Sequence, residues 1–248
     1  MNGAWLRQLA GLAVFLALWE WAARHGMLNP LYLPAPSAVA GALVQLFAAG
    51  TIWTHLEATF AAALGGLAAG LVVGTALGVA AALVPILAEL LEPVMVLLNA
   101  VPRVVLAPLF VIWLGIGLAS KMALAFVLVA VVIFFTVYTG IRQVDRRLVE
   151  RIVTLGGGRM ALLREVYLPS VLAWILGNLK VAVGFAFTGA VVGEFVAATR
   201  GLGYLLSFAQ STFNSALMLA LVTLIMVVVL LIFGLAGWLE RRLLRWRG

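Results

Sequence analysis

The sequence predicts an all-α integral membrane protein with six transmembrane helices and both termini in the cytosol. Three observations carry that prediction. Of 248 residues, 65% are hydrophobic and only 10% are charged. The apolar residues fall in runs long enough to cross a bilayer, and the basic residues gather in two clusters. Soluble domains carry about a quarter charged residues, so a soluble enzyme, a nucleic-acid module and a disordered chain are all excluded. Cysteine is absent, which removes disulfides, thiolate nucleophiles and cysteine-bound metal.

About 20 apolar residues cross the hydrocarbon core, and open strands cannot do so. The first span is residues 5–23. Arg7 precedes its apolar stretch, but Trp19, Glu20 and Trp21 make a poor cleavage region, so it reads as a retained helix with an aromatic anchor. The second, residues 59–83, lies inside an uncharged stretch between Glu57 and Glu89. The third, residues 91–114, contains Pro102, Arg103 and Pro108 and is therefore broken or bent. Residues 122–141 form the fourth, bounded by Lys121 and Arg142. Residues 171–196 form the fifth, with Lys180 inside and Glu194 near its end. A loop marked by Gly201, Gly203 and the polar run from Gln210 to Ser215 precedes the sixth, residues 216–238.

Charge position orients these spans. Of the 16 basic residues, ten lie in two clusters: Arg142, Arg146, Arg147, Arg151, Arg159 and Arg164, then Arg241, Arg242, Arg245 and Arg247. Cytoplasmic segments carry such an excess. Two spans separate the clusters, so the two assignments agree, and the four preceding spans place the N-terminus inside as well. Residues 25–57 and 197–215 then lie outside, the former with a short surface helix over residues 37–47. The chain reads as a single domain, residues 1–248, without repeats.

Several residues within the spans stand out. Gly66, Gly70, Gly74 and Gly78 recur every four residues and share one helical face. Small residues at that spacing let backbones approach, which serves packing inside the bundle first and a dimer or pore surface second. Arg103, Lys180 and Glu194 are ionisable groups inside spans, which are costly and often functional. Lys180 and Glu194 equally suit snorkelling to an interface. Arg103 sits beside a proline break that suggests a cavity, though a shallow helix would hold it at headgroup depth. Glu20 reads as interfacial.

Enzymatic signals are thin. His25 and His55 are the only histidines and belong to no metal-ligand pattern; both read as structural. There is no Gly-x-Ser-x-Gly elbow. The two lysines, Lys121 and Lys180, follow Ser120 and Leu179 rather than a glycine, so the chain lacks a phosphate-binding loop. No catalytic residue, metal site or cofactor site is expected.

The cytosolic stretch over residues 142–169 is more informative. Leu148, Val149, Ile152 and Leu155 fall at helical spacing with arginines opposite. Gly156, Gly157 and Gly158 break that helix. A second short amphipathic piece over residues 159–168 follows, and Pro169 opens the next span. An interfacial helix on anionic lipid and a lever end that docks into another protein both fit this pattern.

The same stretch resembles a known loop. Glu150, then Leu155–Gly156, nine residues, and Val166–Tyr167–Leu168–Pro169 are similar to the EAA loop of permease subunits of bacterial ABC importers. Arg151 and Ile152 stand where that pattern has two alanines, and Gly157–Gly158 where it has Ala-Ser. The runs Leu33–Pro34–Ala35–Pro36–Ser37, Val101–Pro102–Arg103 and Ala107–Pro108–Leu109 extend the likeness. So do Ile112 to Gly117, Val192–Gly193–Glu194 and Gly201–Leu202–Gly203–Tyr204. Together they resemble the branch importing nitrate, sulfonates, taurine and pyrimidine precursors.

The resemblance implies a type I ABC importer permease of MetI-like architecture in the bacterial cytoplasmic membrane. It implies a second permease subunit (a homodimer), two ABC ATPase subunits that bind ATP and Mg, and a periplasmic or lipid-anchored substrate-binding protein. Nucleic acid is no partner. The cargo would be a small anionic organic or inorganic solute. Glu150, Leu155, Gly156, Gly157, Val166, Leu168 and Pro169 would couple to the ATPase. Arg103, Lys180 and Glu194 would face the translocation path. A self-sufficient secondary transporter or channel is the alternative, and an intramembrane enzyme lacks its catalytic constellation.

Overall fold

The computed structural model describes residues 3–243, with backbone alone at residues 3, 4, 103, 159, 239 and 243. Every regular element among the described residues is helical: α1 (Gly3–Arg24), α2 (Pro36–Ala48), α3 (Ile52–Leu83), α4 (Pro85–Ala100) and α5 (Arg103–Leu114) come first. They are followed by α6 (Leu118–Arg142), α7 (Arg146–Thr154), α8 (Arg159–Leu162), α9 (Leu168–Val196), α10 (Leu202–Ser211) and α11 (Ser215–Leu243). Four described helices are long and apolar enough to cross a membrane, and the bent pair α4–α5 is apolar enough to be a fifth candidate when its halves are taken together. The first helix has 22 residues, but Arg7, Gln8 and Glu20 dilute its apolar content, and it is not among those four.

The pairing of α3 with α6 organises the bundle. A Cβ added at Gly66 would lie 2.4 Å from Ala125 Cβ, at Gly70 2.6 Å from Val129 Cβ, and at Gly78 2.9 Å from Val137 Cβ. At Gly74 it would lie 2.7 Å from the Ala130 carbonyl oxygen. Each glycine thus removes a side chain where the α6 backbone stands, and the contact numbers rise together along both helices. The two helices therefore run parallel. A parallel pair requires the chain between them to return across the membrane, so α4–α5 must traverse it.

The α4–α5 crossing is sharply broken, with 107° between its halves. Pro102 supplies the break, since it lacks an N–H and its ring prevents continuation from Ala100.

Against α6 packs α9, which runs the other way: Gly189 abuts Ala125, Gly193 abuts Lys121, and Gly140 faces Trp174. The main core lies between α3, α6 and α9, with Val129, Ile133, Val137, Ala182, Ala186 and Ala190 buried in it. Apolar side chains on the outside of the bundle are broadly exposed, as lipid-facing groups should be.

Two features differ from the sequence reading: the stretch read as a loop before the sixth span holds the helix α10 (Leu202–Ser211), and the boundary at Pro169 is continuous. Pro169 stands in the first turn of α9 as read, but the helix does not stop before it: α8 runs through a π turn into α9, so Met160–Val196 is continuous over 37 residues. It accommodates the proline by widening. Leu163–Tyr167 is a π-helical turn, with the Leu168 N–H donating to the Leu163 carbonyl five residues back. In α geometry the proline ring would crowd the Glu165 carbonyl, and the wider turn relieves that conflict. The helix thus projects beyond the core toward α7.

Candidate functional site

Two places gather the residues that the sequence marks out, one at each end of the bundle. At the end holding the arginine cluster, α7 is a short helix capped by Asp145, whose side chain accepts from the Arg147 N–H at 2.9 Å. Its far end closes as a Schellman turn. The Gly157 N–H donates to the Ile152 carbonyl at 2.9 Å, and the Gly156 N–H to Val153 at 3.0 Å. Gly156 takes φ +80°, a left-handed conformation that side chains resist. Gly157 is needed for space, since a Cβ there would stand 2.6 Å from Ile152 Cγ2.

This turn sets the face that α7 presents. Val149 and Ile152 are half-buried, while Leu148, Val153, Leu155 and, beyond the turn, Met160 are exposed, Leu155 at 76%. Glu150 is exposed on α7. Val166, at 5% exposure, is buried where the projecting helix meets the bundle, and Leu168 is half exposed. Pro169 lines a groove with Asp145, Leu148 and Val166. A row of exposed apolar side chains beside arginines is a surface suited to another protein.

At the opposite end, Glu194 is buried at 2% exposure. A buried carboxylate is costly unless it is hydrogen-bonded or paired. Its Oε2 accepts from the Thr59 hydroxyl at 2.8 Å and from the Gly203 N–H at 2.9 Å. The Thr59 oxygen in turn accepts from the Leu202 N–H at 2.9 Å. The Gly201 N–H donates to His55 Nδ1 at 3.1 Å, and the His55 ring stacks on Tyr204. Thus α10 begins directly on the carboxylate, where a helix N-terminus stabilises negative charge. The glycines make the approach possible. Gly201 takes φ +123°, and a Cβ there would lie 2.2 Å from the Glu194 carboxyl carbon. A Cβ at Gly203 would lie 2.2 Å from the Val191 carbonyl oxygen.

Behind this knot lies a cavity of about 330 Å³, lined by Glu57, Lys121, Glu194, Thr199 and Arg200 together with apolar residues of α3 and around the start of α6. Lys121 is buried at 4% exposure, and Glu57 and Arg200 are exposed. The sequence reading treated Lys121 as a span boundary and Thr59 as the first residue of a span. A charge at the end of an apolar run carries no sign of whether it faces water or a cavity.

The three proposed path residues are not brought together. Lys180 lies fourteen positions before Glu194 on α9, so about 21 Å separates them along the helix. Its Nζ pairs with Glu240 at 3.0 Å, and both side chains are partly exposed. Arg103 opens α5 directly after the break, and its side chain lies outside the described residues. Glu20 accepts from both the N–H and the hydroxyl of Ser37, so it anchors the start of α2. Among the described residues no group of three or more His, Cys, Asp or Glu could hold a metal ion.

Residues 66–245 match the family model described as binding-protein-dependent transport system inner membrane component. The chain is 39% identical to the riboflavin transport system permease protein RibX of Chloroflexus aurantiacus, over 95% of this chain and 88% of that protein. It is 32% identical to the taurine transport system permease protein TauC of Escherichia coli, over 96% of this chain and 88% of the relative. Its fold resembles a chain of the MetNI methionine ABC transporter in an inward-facing conformation. The TM-score is 0.61 at 23% identity, covering 78% of this chain and 94% of that one.

Proposed function

Because the chain belongs to the family of binding-protein-dependent transport system inner membrane components, we propose that it is the permease subunit of an ATP-driven importer. Two copies line the translocation path for a small anionic solute. Two separate ATPase subunits, which bind ATP and Mg, dock on α7. A periplasmic or lipid-anchored binding protein delivers cargo at the Glu194 end. ATP binding draws the ATPases together and, through α7 and the long helix behind it, turns the path outward; hydrolysis resets it.

The observation that carries this reading is α7 itself. It is a short helix held clear of the core by a glycine turn, with Leu148, Val153 and Leu155 exposed beside a basic cluster. Glu150, Leu155, Gly156, Gly157, Val166, Leu168 and Pro169 form the coupling element. Here α1 is the sixth span, entering from the cytosol: its 22 residues extend about 33 Å, enough for a hydrocarbon core of about 30 Å. Arg103 and Glu194 face the path. For Lys180, the pair with Glu240 favours a tie between the middle of α9 and the end of α11.

The test is reconstitution with the cognate ATPase and binding protein, measuring ATP-dependent uptake. Deleting residues 145–164 should leave membrane insertion intact and abolish both ATPase copurification and uptake. Full-rate uptake by the chain without any ATPase would replace this reading with a self-sufficient secondary transporter or channel.

A further inference from the structure

On the flank of the bundle, away from Glu194, a groove of about 490 Å³ runs between α9 and α11. Its walls include Val181, Gly184, Thr188, Ile225, Val229 and Phe233. Val181 and Thr188 are exposed, so the groove opens sideways. The Thr188 hydroxyl donates to the Gly184 carbonyl at 2.8 Å, so its one O–H is used within α9. Gly184 gives the Phe233 ring its room, since a Cβ there would stand 3.3 Å from Phe233 Cζ. Walls of this kind favour hydrocarbon over hydrated ions.

One end of the groove is different. Lys180 lines it, and its Nζ pairs with Glu240 at 3.0 Å. A Cβ at Gly237 would stand 3.1 Å from Lys180 Nζ and 4.0 Å from Arg241 Nη1. Two cationic heads therefore converge beside Gly237 against one carboxylate. Trp238 is exposed next to this point, with the Arg242 guanidinium 5.1 Å from its ring centre, an arrangement suited to headgroup depth. Distance along the helix agrees: from Ser215 to Gly237 is about 33 Å, against a hydrocarbon core of about 30 Å. From Lys180 to Val192 the groove follows α9 for about 18 Å, a little more than half of that core.

We propose that this groove holds one phospholipid of net negative charge, its headgroup phosphate on Lys180 and Arg241 and one acyl chain between α9 and α11. The cationic end calls for anionic oxygens, the walls call for a hydrocarbon tail, and the length fits the tail of one leaflet. Basic pockets between membrane helices on the cytosolic side hold anionic headgroups in this way. A free anion would leave the apolar length unfilled, and a neutral lipid would leave the excess cation unmatched. With the basic end cytosolic, as in the orientation above, the leaflet is the cytoplasmic one. The site needs no ATPase, so it stands or falls apart from the importer reading.

The test uses the purified full-length chain in phosphatidylcholine nanodiscs with a trace of phosphatidylglycerol that carries a photoactivatable acyl chain. After irradiation, peptide mass spectrometry compares label on α9 and α11 with label on α1, whose exposed Leu9, Leu12 and Phe15 serve as the reference. Phosphatidylcholine with the same photoactivatable chain is the control. Each basic group near an anionic headgroup contributes about fivefold in affinity. Groove label should therefore be enriched about tenfold or more with phosphatidylglycerol over phosphatidylcholine. Arg241→Gln should cut that enrichment about fivefold, Arg241→Lys should restore most of it, and Arg147→Gln on α7 should leave it unchanged. Thr188→Phe fills the groove and should lower groove label from both lipids.

Equal groove label from the two lipids, or enrichment that survives Arg241→Gln, would overturn the proposal. So would displacement of the label by inorganic phosphate as effectively as by unlabelled phosphatidylglycerol, which would assign the cations to a free anion. Groove peptides that take no label and cross-link instead to a second copy of the chain would assign the groove to a subunit interface. Where Arg241→Gln fails to accumulate, the comparison of the two lipids on the unmodified chain decides.

Discussion

The Thr59 hydroxyl donates to Glu194 Oε2 across 2.8 Å, joining α3 to α9 between residues 135 positions apart. The same oxygen accepts from the Leu202 N–H that opens α10. One hydroxyl therefore holds three helices at the Glu194 end of the bundle.

Thr59→Val keeps the shape and removes the hydroxyl. It strands a buried carboxylate lone pair and the Leu202 N–H, at about 1–3 kcal/mol. The thermal midpoint of the detergent-purified protein should fall accordingly. Glu194→Gln should cost less, because the amide oxygen still accepts from Thr59 and Gly203.

Gly201→Ala should be more damaging than either. The new Cβ would overlap the Glu194 carboxyl at 2.2 Å, at φ +123°. Strain and overlap together should exceed about 3 kcal/mol and lower the yield of folded protein. Gly177→Ala is the matched control: nothing lies within 4 Å of its Cβ, so helix propensity alone should raise stability by up to about 1 kcal/mol. Equal thermal midpoints for the two variants would contradict the close approach of α10 to Glu194.

At the other end, Gly156→Val must place a β-branched residue at φ +80°. The strain of about 1–3 kcal/mol should deform the turn that aims α7. Retention of the ATPase in a pull-down should drop by tenfold or more. Gly156→Asn, which tolerates the left-handed region, should bind nearly as well as wild type. Loss with both substitutions alike would point to the side chain rather than the backbone.

Lys180→Met should be nearly silent. Its partner Glu240 is shared across a pair whose lysine side chain is 44% exposed, and such pairs contribute less than about 1 kcal/mol. Uptake at wild-type rate is expected. A large loss would return Lys180 to the translocation path.

Reporter fusions after Gly158 and after Arg242 should both report cytosol, and one after Leu46 the outside. A shared side for Gly158 and Leu46 would contradict the parallel packing of α3 and α6.

How far these features were legible in the sequence differs by residue. The four-residue spacing of Gly66, Gly70, Gly74 and Gly78 put them on one face, but the identity of the helix against that face was not in the spacing. Pro102 was legible as a break because it lacks an N–H and crowds the residue before it, which ends the preceding helix while leaving a new one free to start. Pro169 was legible as the start of α9, where it stands in the first turn; the π-helical turn that joins it to the preceding helix is a backbone feature that composition does not reveal. Lys121 and Thr59 stayed hidden for another reason: their partners and neighbours lie far off in the chain. The Gly201–Leu202–Gly203 run was visible, and the structure adds that two of its residues mould backbone around a buried carboxylate.

The parallel course of α3 and α6 has a consequence for biogenesis. When α3 leaves the ribosome, the surface that its glycine stripe will meet has not been made. Residues 84–117 must emerge and cross back before α6 can slide alongside, and at about 5–20 residues per second that delay lasts several seconds. During it, a helix with its backbone bared along one face is sheltered by lipid or by the insertion machinery alone. Substitutions at Gly66 to Gly78 should therefore act on the timing of membrane assembly as well as on the finished bundle.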